Sequence, residues 1–178
     1  MQALKQLTWV RGIQAFDLKT FHWCIGSRHQ AFYVRIARRL SSTADGHLYF
    51  AAGFLSLILQ EWMHAKIIAV AFCVERSVYF CAKNLFKRNR PPAAIQGFIS
   101  FVEPSDQFSF PSGHTSAAFM FITLLALSIS SLFAIFYLWS LGIALSRVFL
   151  GVHFPTDTLV GATIGTTIGV LVAGSLII

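Results

Sequence analysis

Two histidines and one aspartate carry the spacing that could do covalent chemistry. His153 and Asp157 are four residues apart, with Pro155 between them. Pro155 suits the first turn of a helix, and from that helix Asp157 can reach back to one imidazole nitrogen of His153. A carboxylate there fixes the tautomer and leaves the other nitrogen free to attack an electrophile. Ser146-Arg147 precedes the pair and adds a cation. A second cluster, Pro111-Ser112-Gly113-His114, opens an apolar stretch. Ser112 can cap a helix there and Gly113 lets a ligand approach the backbone. The free amides and dipole of a helix N-terminus then favour an anion beside His114. In a third cluster, Lys83 and Arg90 are seven apart and precede Pro91 and Pro92. On one helical face they would clamp an anion. Each cluster alone has a plainer reading: a basic flank that snorkels to headgroups, an N-cap beside an interfacial histidine, or a polar turn between helices.

The elements that must position these residues are apolar. Of the 178 residues 56% are hydrophobic and 12% charged, about half the charged share of a soluble domain, and the mean hydropathy is +0.66. A bilayer is the solvent this composition suits. Apolar stretches run over 47–60, 65–82, 114–130, 132–150 and 156–178, separated by a polar loop at 83–113, a turn at Ser128 to Ser131 and a break at Gly151 to Pro155. Spanning takes about 20 apolar residues; the last three stretches meet that and the first two are short. Residues 20–40 mix Phe21, Trp23, Phe32 and Ile36 with Arg28, Arg35, Arg38 and Arg39, and predict either a weak first span or an interfacial helix. Five to six membrane helices are expected, all α, because lipid cannot satisfy open sheet edges. The chain enters at Lys83, crosses with 114–130 and returns with 132–150, so the three clusters meet on one side. Two histidines, an aspartate and three cations suit phosphoryl transfer.

The pattern Lys83-x6-Arg90-Pro91, Pro111-Ser112-Gly113-His114 and Ser146-Arg147-x5-His153-x3-Asp157 resembles the three-part signature of the PAP2 (type 2 phosphatidic acid phosphatase) superfamily, with no departure at any motif residue. The resemblance implies one all-α, polytopic membrane domain over 1–178, with the motifs in 83–157. It implies that His153 attacks phosphorus to form a phosphohistidine, that Asp157 orients His153, and that His114 protonates the leaving oxygen and then activates water. Lys83, Arg90, Arg147, Ser112 and the Gly113 amide would hold the phosphate. Three cations then take the part that magnesium plays elsewhere, so no metal or cofactor is expected. The implied substrate is a lipid phosphate or diphosphate. Undecaprenyl diphosphate is favoured, with phosphatidylglycerol phosphate or phosphatidic acid as alternatives, and a non-catalytic phospholipid-binding protein is the competing class. The implied location is a bacterial inner membrane with the site facing the periplasm. The positive-inside rule opposes that orientation, since Lys87 and Arg88 lie on the site's side and little beyond Lys66 on the other.

The net charge of +7 suits anionic lipid or phosphate as partner, not nucleic acid, and leaves the oligomeric state open. Met1 to Lys19 shows no signal-peptide pattern. Glu75 and Arg76 read as a structural ion pair, or less readily as part of the substrate path together with Asp45, Arg38 and Arg39. His22, His29, His47 and His64 read as interfacial, Glu103 and Asp106 as solvated loop residues, and Cys24, Cys73 and Cys81 as apolar packing residues. Gly161, Gly165 and Gly169, at four-residue spacing, read as a helix-packing face.

Overall fold

The computed structural model describes residues 8–177. Among these the chain is helical: α1 (Thr8–Ile25), α2 (Gln30–Ser42), α3 (His47–Ile58), α4 (Trp62–Phe86), a single turn α5 (Pro91–Ala94), α6 (Gly113–Ser128), a 3-10 stretch (Ser131–Phe136) that runs into α7 (Tyr137–Phe149), and α8 (Pro155–Ile177). No strand forms among the described residues; Asn89 and Phe108 make an isolated antiparallel bridge.

The centre of the bundle is α4, α6 and α8, joined through buried Ile67, Ala71, Met120, Leu124, Ile168 and Val172. The expected glycine face brings α8 against α6 at backbone distance. A Cβ on Gly165 would lie 2.1 Å from the Ser116 carbonyl oxygen, and one on Gly161 would lie 2.6 Å from that of Ser112. Only hydrogen fits, so the two helices lock in one register.

The expected single segment at 20–40 is two helices broken at residues 26–29. α2 turns Val34, Ala37 and Ser41 inward while Arg35, Arg38 and Arg39 are exposed. α1 docks Phe21 and Cys24 against Val148 and Phe154. The packing reading of the cysteines holds for Cys24, whereas Cys73 and Cys81 are exposed on α4.

Two stretches are long and apolar enough to cross a membrane, Ser131–Phe149 with 19 residues and Pro155–Leu176 with 22. α6, expected to span comfortably, has 16 residues, about 24 Å at 1.5 Å per residue against a core of about 30 Å. α4 has 25 residues but carries Lys66, Glu75, Arg76 and Lys83. Large apolar side chains face outward around the molecule, among them Phe50, Phe54, Leu132, Leu138 and Leu171.

Candidate active site

The polar ends of the helices meet at one end of the bundle. α4 does not continue to Arg90. Lys87 takes a left-handed conformation at φ 45° and closes the helix, and Arg90 is extended, as a residue before proline tends to be. Lys83 and Arg90 therefore do not share a helical face as their spacing predicted. They meet because the chain folds back. Lys83 Nζ donates to the Phe108 carbonyl at 2.7 Å and to Asp106, and Arg90 Nη2 donates to Asp106 Oδ1 at 2.8 Å. Both cations are buried.

Asp106 is thus not a freely solvated loop residue. It accepts from Lys83, from Arg90 and from the Tyr79 hydroxyl at 2.6 Å. Burial favours its neutral acid, but these three hydrogen bonds outweigh that and hold its carboxyl well below the usual range. Glu103 remains exposed, as expected.

His153 is placed by the turn between α7 and α8. Gly151 sits at φ +73°, and a Cβ there would lie 2.5 Å from the Phe98 ring, so glycine is required on both conformational and spatial grounds. The His153 amide donates to the Arg147 carbonyl at 3.3 Å, which ties the turn to the end of α7. The imidazole is buried, with a residue exposure of 2%. Its Nδ1 lies 3.6 Å from Asp157 Oδ2, an ion-pair contact longer than a hydrogen bond. Its Nε2 lies 3.3 Å from Arg90 Nη1. Burial pushes the imidazole pKa down to about 3, and Arg90 adds to this while Asp157 pulls the other way. The ring is therefore neutral at neutral pH, the state a nucleophile needs.

Asp157 is fully buried. Its Oδ2 accepts from the Phe154 amide at 2.8 Å and its Oδ1 from Arg88 Nη1 at 2.7 Å. Its backbone carbonyl accepts from the Ser112 amide at 3.0 Å, which joins the starts of α8 and α6. Ser112 occupies the N-cap position of α6 without a side-chain cap bond; its hydroxyl pairs with that of Thr115 at 3.0 Å. Gly113 follows, and a Cβ there would lie 2.6 Å from the Tyr79 ring. His114 Nε2 lies 2.8 Å from Asp45 Oδ1. Arg147 is buried and donates through Nη1 to Ser41 of α2 at 2.7 Å. Among the described residues, Arg147 Nε and His153 Nδ1 are buried without a hydrogen-bond partner.

The structure therefore gathers Lys83, Arg90, Ser112, Gly113, His114, Arg147, His153 and Asp157 at one end of the bundle. A family model matches at residues 62–176, and its description is PAP2 superfamily. The chain belongs to the PAP2 superfamily. Decaprenylphosphoryl-5-phosphoribose phosphatase of Mycobacterium tuberculosis is 33% identical over 115 residues, 64% of this chain and 60% of that protein. The match thus spans less than two thirds of that curated relative. Among solved structures, Aquifex aeolicus LpxE superposes with a TM-score of 0.78 at 27% identity, covering 89% of this chain and 95% of that one. The first transmembrane PAP2-type phosphatidylglycerolphosphate phosphatase from Bacillus subtilis superposes with a TM-score of 0.76 at 23% identity, covering 97% of this chain and 89% of its own. The fold shared with that structure thus extends beyond residues 62–176 into the N-terminal helices.

Sequence reasoning missed Arg88, Asp17 and Asp106. In the sequence Arg88 is a loop charge that bears only on orientation, and Asp17 stands outside every motif. One signal was available for Asp106: a loop carboxylate near two cations that need a counter-charge. Asp45 does lie at the site, against His114, whereas Arg38 donates to the Phe101 carbonyl at 2.9 Å and, with Arg39, lines a separate groove on α2. Glu75 and Arg76 form the expected ion pair, with Arg76 Nη2 2.7 Å from Glu75 Oε1.

Proposed function

We propose that this PAP2 protein is a metal-independent membrane lipid phosphatase that works through a phosphohistidine. The observation that carries the proposal is the buried line Asp157–His153–Arg90, with a carboxylate near Nδ1 and a guanidinium at Nε2. Asp157 favours the tautomer with the proton on Nδ1, so the Nε2 lone pair, which accepts from Arg90 at 3.3 Å, is freed to attack when Arg90 turns to the phosphate. Nε2 forms a bond to phosphorus as the bond from phosphorus to the lipid oxygen breaks, and His114 gives its proton to that oxygen. His114 then takes a proton from water, whose oxygen attacks phosphorus. The P–N bond breaks, inorganic phosphate leaves and neutral His153 is restored. Lys83, Arg90 and Arg147, with Ser112 and the Gly113 amide, would meet the charge on the phosphate oxygens. One such preorganised donor contributes about 3–4 kcal/mol to a transition state.

The lipid character of the substrate is supported by an apolar cavity of about 1080 Å³. Tyr49, Phe54, Leu57, Ile68 and Phe72 line it, and so do Asp45 and His114. A chain lying there has its phosphate end beside the candidate acid. The polyprenyl substrate in the mycobacterial relative's name favours an isoprenoid phosphate or diphosphate, with undecaprenyl diphosphate the leading candidate. The same reading places five to six helices in a bacterial inner membrane with the site facing the periplasm.

The test is phosphate release by the detergent-purified protein in EDTA, from isoprenoid and glycerolipid mono- and diphosphates, beside His153→Ala. Release that survives EDTA and disappears in the variant is expected, with the fastest release from an isoprenoid. A folded protein that releases nothing from any of them would leave a non-catalytic lipid-binding role instead.

A further inference from the structure

Asp17 lies in the middle of α1, outside every motif, and is 1% exposed. It accepts from the Thr156 amide through Oδ1 at 2.9 Å and from the Thr156 hydroxyl through Oδ2, which satisfies a free N–H in the first turn of α8. Its Oδ2 also pairs with Arg88 Nη2. The other terminal nitrogen of Arg88, Nη1, donates to Asp157 Oδ1 and to the Thr156 hydroxyl, both at 2.7 Å. The guanidinium lies over the Phe154 ring, 4.6 Å from its centroid. Arg88 is therefore held from three directions, and its two terminal nitrogens reach the two aspartates separately.

Two consequences follow for His153. Asp157 presents only Oδ2 to the imidazole, because Oδ1 is engaged by Arg88. Arg88 alone would also cancel the negative charge of Asp157, and Asp17 restores it: the unit of two carboxylates and one guanidinium carries a net charge of about −1. We propose that Asp17 and Arg88 are positioning residues for the reaction: acting through Asp157, they hold the His153 ring in the Nδ1–H tautomer and keep negative charge behind it as phosphorus bonds to Nε2. This inference rests on the phosphatase reading for its kinetic consequence but not for its structural one.

The experiment compares Asp17→Asn, Arg88→Lys, Asp157→Asn and the double variant Asp17→Asn/Asp157→Asn as full chains in detergent, with farnesyl diphosphate as probe. Asparagine keeps the shape and removes the charge. Lysine keeps the charge and loses the fork that spans both carboxylates. Asp17→Asn and Arg88→Lys are each expected to lose about tenfold or more in kcat, with KM within about twofold, because neither residue is placed among the phosphate donors. In the Asp157→Asn background, Asp17→Asn is expected to cost nothing further, since its route to the imidazole is already cut. Independently of turnover, ¹⁵N imidazole shifts of His153 should report the Nδ1–H tautomer in the wild type and a mixture in Asp17→Asn. An equal loss in both backgrounds, or a fall in melting temperature with kcat and tautomer unchanged, would overturn the proposal and leave Asp17 a helix cap. A tautomer lost in Asp17→Asn in a protein that releases no phosphate would sustain the positioning role and sink the phosphatase reading instead.

Discussion

At the scale of single residues, the site holds two kinds of titratable group, a buried imidazole and a half-buried carboxylate, and acid should find them in different windows. The His153 pKa falls from 6.5 to about 3 on folding, so the unfolded chain takes up its proton first. Stability from this group is intact above about pH 6.5 and is lost as pH falls toward 3. Asp106 also has a lowered folded pKa, so its contribution is intact above about pH 4 and is lost below it. Thermal unfolding in detergent should therefore show a slope between about pH 6.5 and 4 that His153→Gln flattens. Asp106→Asn should melt lower than wild type at pH 7, with the gap closing only below about pH 4. A parallel pH dependence in all three proteins would contradict both assignments. For activity, Asp157→Asn should cost about a hundredfold or more in kcat, measured as phosphate release beside trapping of the acid-labile phosphoenzyme. The histidine–aspartate pair was legible in the sequence because a separation of four residues across a helix start has few geometries. Asp106 was not legible, because a loop has no period from which to read a partner, and the reach of its carboxylate depends on where the 99–110 segment folds.

At the scale of elements, the union of α6 and α8 carries most of the positioning. Their starts are joined where the Ser112 amide meets the Asp157 carbonyl, and their flanks meet at the glycines. Gly165→Val would drive a Cβ to 2.1 Å from the Ser116 carbonyl, whereas a Cβ on Gly174 meets nothing within 4 Å. Gly165→Val should destabilise by about 1–3 kcal/mol or more and lower activity even in the protein that still folds, while Gly174→Ala should leave both unchanged. Melting temperature and phosphate release on the two variants decide it. The glycine face was legible because its four-residue spacing has one geometric meaning on a helix. For Lys83 and Arg90 the same kind of spacing points to a shared helical face that the chain does not form. Their seven residues would suit a helix, but Lys87 ends it, and the chain reaches the same neighbourhood through the Asn89–Phe108 bridge.

At the scale of the whole molecule, outward-facing apolar side chains and an apolar cavity flanking the site suit a substrate whose tail stays in lipid. Leu57→Asp or Phe54→Asp should raise KM for a long isoprenoid diphosphate by about tenfold, the order expected for placing a charge against a buried apolar chain. The same change should leave KM for a short-chain analogue within about twofold, and equal effects on both would place the tail elsewhere. The helices near the motifs were legible from composition, since 114–130, 132–150 and 156–178 each stand as an apolar run, and two of the three hold a stretch long and apolar enough to span. The first forty residues were not, because α2 hides its buried side as three small positions, Val34, Ala37 and Ser41, among arginines.

The bond from α1 to the start of α8 bears on how this chain can be shortened. A protein trimmed to begin at Gln30 would retain every residue of the three motifs and the full 62–176 match, and would pass any test based on signature alone. It would nevertheless leave the Thr156 amide and one arm of Arg88 without the acceptor they have in Asp17. A minimal fragment for reconstitution therefore has to begin upstream of α1, however weakly that helix announces itself.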